Sequence, residues 1–453
     1  MVQLPNILLF IFLILFSSIR AEAQPVRTPE QDSILSEIRR NTQLDYQIML
    51  DLLKISTIRQ GANGRDPSAA NAANYLESKA NPFPDWPDPL VADDGSIISS
   101  QGDWWNIRRP EIIEHFDREI YGRVPAEVPK VSWQIADSVT EQLGSHYILT
   151  RKLVGLVDNS LYPETKVEIQ LSVTTPSSAS EPVPLVMQFS FNWPSWFPPR
   201  PRSADQWKKQ LLDEGWGYAE LLATSIQEDN GAGLVNGIIG LANKGQRRKP
   251  EDWGSLRAWA WGASHALDFF ESDPMVDAEK VGITGHSRYG KAAAVAMAYD
   301  QRFAIAYVSS SGAGGLKPHR RNYGELIENV AATSEYHWMA GNYIKYAGPL
   351  TWDDLPVDAH HLIALCAPRP VFVGCGSVGD RWVDPRGMFL ACVEAGPVYQ
   401  LLGKKDLGAT EFPAINTAIS EGDIAYRQHS GGHSPGPNWS AFIEFAKKYF
   451  ASE

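Results

Sequence analysis

A serine at position 287 sits in Gly285-His286-Ser287-Arg288-Tyr289-Gly290-Lys291, after the β-branched run Val281-Gly282-Ile283-Thr284 and before an Ala- and Val-rich stretch ending near Ala298. Strand, tight Gly-flanked turn and helix is the arrangement that exposes a hydroxyl nucleophile on a strained turn, with helix N–H groups facing an oxyanion. The spacing, G-x-S-x-x-G, is one residue longer than the common G-x-S-x-G, so by itself it also fits a βα turn with a capping serine. A serine nucleophile needs a base, and the base needs a carboxylate to set its tautomer. Both follow in the order Ser, acid, His. Asp380 and Asp384 lie just past an apolar run, Pro370–Cys375, where such a carboxylate belongs, and Asp384 before Pro385 also reads as a helix cap. His429 and His433 flank Ser430-Gly431-Gly432 ahead of the last helical stretch, and His433, after the two glycines, is the favoured base. Arg288 and Lys291 stand at the start of the helix, where its dipole disfavours cations, which points to a role at an anionic or polar ligand.

These residues need a scaffold. Val131–Ala136, His146–Leu156 and Thr165–Thr174 alternate apolar and polar residues as antiparallel strands do, while Pro184–Phe191 is continuously apolar, as a central strand is. Tyr218–Ser225, the run before Ser287, Phe303–Ser311, Pro370–Cys375 and Pro397–Leu402 read as further strands. Helices are expected at Thr28–Leu53, Trp104–Gly122, Trp207–Gly215, Gly254–Phe270, Glu325–Ser334, Ala359–Leu365, Gly387–Ala395 and Asn438–Phe450. Strands alternating with helices after an antiparallel start describe a mostly parallel sheet covered on both faces, an α/β sandwich. Ile226–Gly254 reads as a surface insertion near the site, and Leu316–Pro356 as a long aromatic- and charge-rich insertion. Asn192–Arg202, with its prolines, reads as a rigid loop at the end of a central strand, whose Trp193, Trp196 and Phe197 suit an apolar rim.

The 453 residues carry a net charge of −12, which argues against nucleic acid or an anionic membrane as partner. An apolar run, Ile7–Ser17, followed by Ala21-Glu22-Ala23 reads as a cleaved leader ending near Ala23-Gln24, hence a secreted or periplasmic protein, and is too short to span a bilayer. The expected organisation is a leader over 1–23, an N-terminal helix and linker over 24–72, and a catalytic domain over 73–453. The three cysteines, Cys366, Cys375 and Cys392, form no disulfide framework and read as buried thiols. No spacing suggests a metal site, and the adjacent His360 and His361 would point about 100° apart on a helix. No cofactor is expected.

The G-x-S-R-x-G-K motif, the late GGH, and the stretches DWGSLRAWAWGASHALD, HRRNYGE, YHWMAGNY and DRWVDPRG resemble the glucuronoyl esterases, carbohydrate esterase family fifteen, in its bacterial branch. The resemblance runs from about Asn74 to the closing helix. It implies an α/β-hydrolase three-layer αβα sandwich and metal-free hydrolysis of the ester joining (4-O-methyl-)glucuronic acid of xylan to lignin alcohols. It implies Ser287 as nucleophile, His433 as base, Asp380 as acid and Arg288 at the oxyanion, with Lys291, Glu325 and Trp382 holding the sugar. Two departures stand out: His286 occupies a place where members often carry Cys, and Ser309-Ser310-Ser311 stands where many carry a Glu, which leaves Asp380 as the acid. Two other functional readings fit the same residues: a serine esterase acting on another carbohydrate ester such as acetylated xylan, and a weakly active carbohydrate-binding relative.

Overall fold

Ten strands form one sheet among the residues described by the computed structural model, 28–192 and 205–451. The leader and the Trp193, Trp196 and Phe197 rim lie outside the described residues. The strands are β1 Val131–Leu143, β2 His146–Val157, β3 Glu168–Pro176, β4 Val183–Ser190, β5 Gly217–Leu222, β6 Val276–His286, β7 Ile305–Ser309, β8 Val371–Gly376, β9 Ala418–Ile419 and β10 Ile424–His429. Their order is β1-β2-β3-β5-β4-β6-β7-β8-β10-β9. From β5 through β10 the pairings are parallel; β1, β2 and β3 at one edge and β9 at the other are antiparallel. This is the α/β-hydrolase sandwich.

The longer helices are α1 Pro29–Leu53, α2 Arg109–Glu119, α3 Gln206–Asp213, α4 Ser255–Phe270, α5 Arg288–Tyr299, α6 Ala359–Cys366, α7 Pro385–Leu401 and α8 Trp439–Phe450. On one face of the sheet, α3 and α8 bury Trp207, Leu211, Trp439 and Phe442 against Tyr307 and Phe372. On the other, α4, α5, α6 and α7 enclose the larger core, including Trp259, Val295, Leu362 and Phe389. The fully buried central strands β7 and β8 are apolar nearly throughout, as strands covered on both faces must be. All three cysteines are buried and unbridged.

Three sequence expectations are corrected. Pro397–Leu402 is not a strand: Val398 and Tyr399 extend the buried stripe of α7 past Pro397, and the strand before the closing helix is β10. A short apolar run carries no period long enough to separate strand from helix. The 226–254 stretch is not a surface insertion; Leu234, Ile238 and Ile239 are fully buried. The expected helix over 325–334 contracts to Ile327–Val330. At the N-terminus, the second half of α1 sets Tyr46, Met49 and Leu50 into the main core. The segment after it crosses toward β8, where Gly64 lies so close to the Trp382 ring that a Cβ there would meet Cε3 at 2.6 Å.

Candidate active site

The turn between β6 and α5 is held tight by its two glycines. A Cβ on Gly285 would collide with the Tyr289 carbonyl, and one on Gly290 would lie 2.6 Å from the Ser309 carbonyl oxygen. Ser287 sits between them at φ 59°, ψ −128°, a conformation that L-residues rarely adopt and that persists only where surrounding structure enforces it. Its N–H donates to the Ser309 carbonyl at 2.9 Å, tying the turn to the end of β7. The oxyanion donors available at this helix start therefore begin with the backbone N–H of Arg288, one of the first-turn groups with no intrahelical acceptor.

Two strands further along the sheet, the loop after β8 carries Asp380 and the loop after β10 carries His433. His433 Nδ1 is 2.7 Å from Asp380 Oδ1, with the carboxylate almost fully buried and the imidazole side chain 42% exposed. Asp380 Oδ2 accepts from the Gly376 N–H at 2.6 Å and from Ser310 Oγ at 2.7 Å. Burial works against the carboxylate, but the His433 ring, the Gly376 N–H and the Ser310 hydroxyl outweigh it and hold the group below its ordinary value. On the nucleophile side, the ring of His286, one residue before Ser287, lies 4.2 Å centroid to centroid from the His433 ring. Asp380 and His433 are thus bonded to each other beyond the C-terminal ends of the adjacent parallel strands β8 and β10, and His286 brings the turn that carries Ser287 against the His433 ring.

A second group borders the same turn. Lys291, one helical turn past Ser287 and buried, gives its ammonium to the Glu325 carboxylate at 3.0 Å and to the Ala313 carbonyl. Glu325 also accepts from the Ala313 N–H at 2.7 Å. The Glu325 N–H donates to the Trp382 carbonyl at 2.8 Å, which ties the half-buried indole to this pair. Arg288 and Lys291 both lie over the Trp338 ring, at 5.4 and 5.6 Å from its centroid.

The chain matches the family model described as glucuronyl esterase, fungi, over residues 248–403. It is 26% identical, over 71% of its length and 72% of the relative's, to 4-O-methyl-glucuronoyl methylesterase 1 of Wolfiporia cocos. Carbohydrate esterase MZ0003, from an unknown prokaryotic organism, is 32% identical over 82% of this chain and 91% of that protein. A CE15 glucuronoyl esterase from Teredinibacter turnerae T7901 is 41% identical, with a TM-score of 0.86 over 90% of this chain and 100% of that one. The chain belongs to carbohydrate esterase family 15, the glucuronoyl esterases. It is a carboxylic ester hydrolase.

In this glucuronoyl esterase the other acid and the other histidine of the two sequence pairs have different partners. Asp384 caps α7 through the Gly387 N–H at 2.9 Å and forms a two-pronged pair with Arg321 at 2.7 and 3.1 Å, both side chains fully buried. His429 Nδ1 accepts from the Gly431 N–H and its Nε2 donates to the Ser434 carbonyl at 2.9 Å, so it shapes the loop that carries His433. Arg321 also meets Glu77 at 3.0 Å through both Nη atoms, so loss of the Asp384 charge leaves the guanidinium one carboxylate in place of two. Asp384→Asn is therefore expected to lower the thermal midpoint while the folded fraction still turns over substrate. Scanning calorimetry alongside initial rates checks this, and an unchanged midpoint would contradict it.

Two residues of the site escape sequence reasoning. Asp229, in the loop after β5, accepts from Arg288 Nη1 at 2.6 Å, Trp338 Nε1 at 2.6 Å and His337 Nε2 at 3.0 Å. Burial would raise its carboxyl, yet His337, Arg288 and Trp338 hold it well below the usual range, so it is an anion that aims Arg288. Glu335 faces the same cluster, and its buried Oε2 has no hydrogen-bond partner among the described residues. Burial and the nearby Glu325 push it up to about 7, against the pull of Lys291 and Arg288. Near neutral pH it can donate or accept a hydrogen bond. Neither acid belongs to a motif, and only their place in the two long inter-strand stretches hinted at either. Among the described residues no cluster of His, Cys, Asp and Glu is suited to a metal, and no helix is long and apolar enough to cross a membrane.

Proposed function

We propose that this esterase hydrolyses the ester between (4-O-methyl-)glucuronic acid of xylan and lignin alcohols, by a Ser-His-Asp acyl-enzyme route. The observation that carries the reading is the 2.7 Å His433–Asp380 pair beside a serine held in a strained turn. Asp380 fixes the imidazole with Nδ1–H toward itself, so that Nε2 is free to take the Ser287 proton. Ser287 Oγ attacks the ester carbonyl, and the negative charge on the carbonyl oxygen is met by the Arg288 N–H and guanidinium. The tetrahedral intermediate collapses, His433 gives the proton to the departing alkoxide, and the alcohol leaves. Water, deprotonated by the same ring, then attacks the acyl-enzyme and releases the uronic acid.

The acyl side is a sugar. Lys291 and Glu325 supply the donors and acceptors that a hydroxylated ring needs, and Trp382 supplies a flat apolar face. A small acetyl group would use none of these. The methylesterase named among the relatives supports a uronate on the acyl side. The reading includes export by a leader over 1–23, an N-terminal helix and segment over 24–72, and a hydrolase domain over 73–453.

The test is product release from benzyl glucuronate and from acetylated xylan by the purified protein. Glucuronate release with acetate at background supports the reading. Acetate release alone would assign the site to a different carbohydrate ester, and binding of glucuronoxylan without release of either product would make the chain a carbohydrate-binding relative.

A further inference from the structure

The two departures in the sequence, His286 and the serine run that begins at the last residue of β7, meet in space. His286 Nδ1 is 3.0 Å from Ser309 Oγ, and the next residue, Ser310, donates its hydroxyl to Asp380 at 2.7 Å. Ser310 itself is held at φ 45°, a strained backbone conformation for an L-residue. Adjacent serines at one strand end therefore reach both sides of the His433 ring: one fixes the imidazole packed against it, the other fixes the carboxylate bonded to it. The His286 ring is tilted 49° to that of His433 at 4.2 Å, and its Nε2 is buried with no hydrogen-bond partner among the described residues.

We propose that His286, fixed by Ser309, is a positioning residue that backs the His433 imidazole and keeps water from one of its faces, and that Ser309 and Ser310 together bracket the His433–Asp380 pair. The inference rests on the Ser-His-Asp reading above. It has a physical basis in the geometry of proton transfer. A ring 42% exposed and bonded at Nδ1 alone can still swing about that bond, and a second ring packed on its face removes that freedom. The backing ring must also stay uncharged, because an imidazolium beside His433 would oppose the charge that His433 gains during attack. The groups that face His286 are His433, Asp380 and His429, and burial with the His433 ring beside it brings its imidazole down to about 3. Across the neutral range it is a neutral partner.

The experiment is steady-state hydrolysis of a methyl glucuronate ester against pH by the full chain and by His286→Ala, His286→Phe, Ser309→Ala and Ser287→Ala, each checked for folding by thermal denaturation. His286→Ala is expected to lower kcat by about 10- to 100-fold with KM within about twofold, since only the reacting geometry is loosened. His286→Phe, which restores a ring, recovers most of kcat, and Ser309→Ala gives a smaller loss in the same direction. A folded His286→Ala with wild-type kcat, or a Phe variant as slow as the Ala one, overturns the proposal. If His286→Ala does not fold, a wild-type profile in Ser309→Ala overturns it. Activity retained by Ser287→Ala would remove the nucleophile reading itself, an outcome distinct from wild-type behaviour in the His286 variants alone.

Discussion

Ser287→Ala is expected to abolish hydrolysis of glucuronate esters, with kcat reduced by about 10⁴-fold or more, while the thermal midpoint stays close to that of the parent. The rate loss follows from the proposed route: without Oγ no acyl-enzyme forms, and His433 is left to assist water. The unchanged stability follows from structure. The turn is enforced by Gly285, Gly290 and the Ser287 N–H bond to Ser309, all main-chain features that alanine keeps. Alanine at φ 59° is as strained as serine, so the strain cancels between the two proteins. Initial rates with benzyl glucuronate and a melting curve on the same preparation decide it. A variant that keeps more than about one-tenth of parental kcat would mean that another group performs the attack. A rapid burst of benzyl alcohol before the steady state in the parent, absent in the variant, would add the acyl-enzyme directly.

How much of this site is legible in the sequence depends on whether its determinants are contiguous. The elbow is, since the strand residues, both glycines, the serine and the helix formers fall within twenty positions. The alternation of β1 to β3 and the apolar runs of β4 and β8 are legible for the same reason. The candidate acid is not fully so. Asp380 and Asp384 stand four residues apart after the same strand, and what separates them is Arg321, which reaches Asp384 from 63 residues upstream. The histidines differ likewise by partner: His429 meets a loop carbonyl and a loop amide, and His433 the Asp380 carboxylate. The 226–254 stretch misleads because its Gly and Asn content suggests exposure, whereas glycines such as Gly240, where a Cβ would strike the Val235 carbonyl, serve close packing of backbone inside the molecule. Asp229 comes from that stretch, and no local pattern ties it to Arg288 across 59 residues.

Asp380→Asn is the second large effect, a fall in kcat of about 10⁴-fold with little change in KM. The amide keeps roughly the carboxylate's shape, and its oxygen can still accept from Gly376 and Ser310. What it loses is the charge that steadies the imidazolium and the acceptor that holds Nδ1–H. Among the described residues Asp380 is the acid bonded to His433, so the loss is not buffered. The same substitution has a signature in stability. Because the folded protein holds Asp380 below its ordinary value, the carboxylate contributes stability above the usual carboxylate range, and that contribution is lost as pH falls through the folded value. The stability gap between parent and Asp380→Asn is accordingly widest at neutral pH and closes in acid, which urea denaturation at several pH values measures. A rescue sharpens the point. Ser310 Oγ already lies 2.7 Å from Asp380 Oδ2, so a longer acidic side chain from the same position can approach His433 from the β7 side. Ser310→Glu placed on the Asp380→Asn background is expected to recover about tenfold or more of the lost rate, and placed on the parent it is expected to slow turnover, because two carboxylates at that separation cannot both stay charged without cost. Ser310→Glu that raises turnover in the parent background and leaves the Asp380→Asn rate unchanged would contradict Asp380 as the acid of His433.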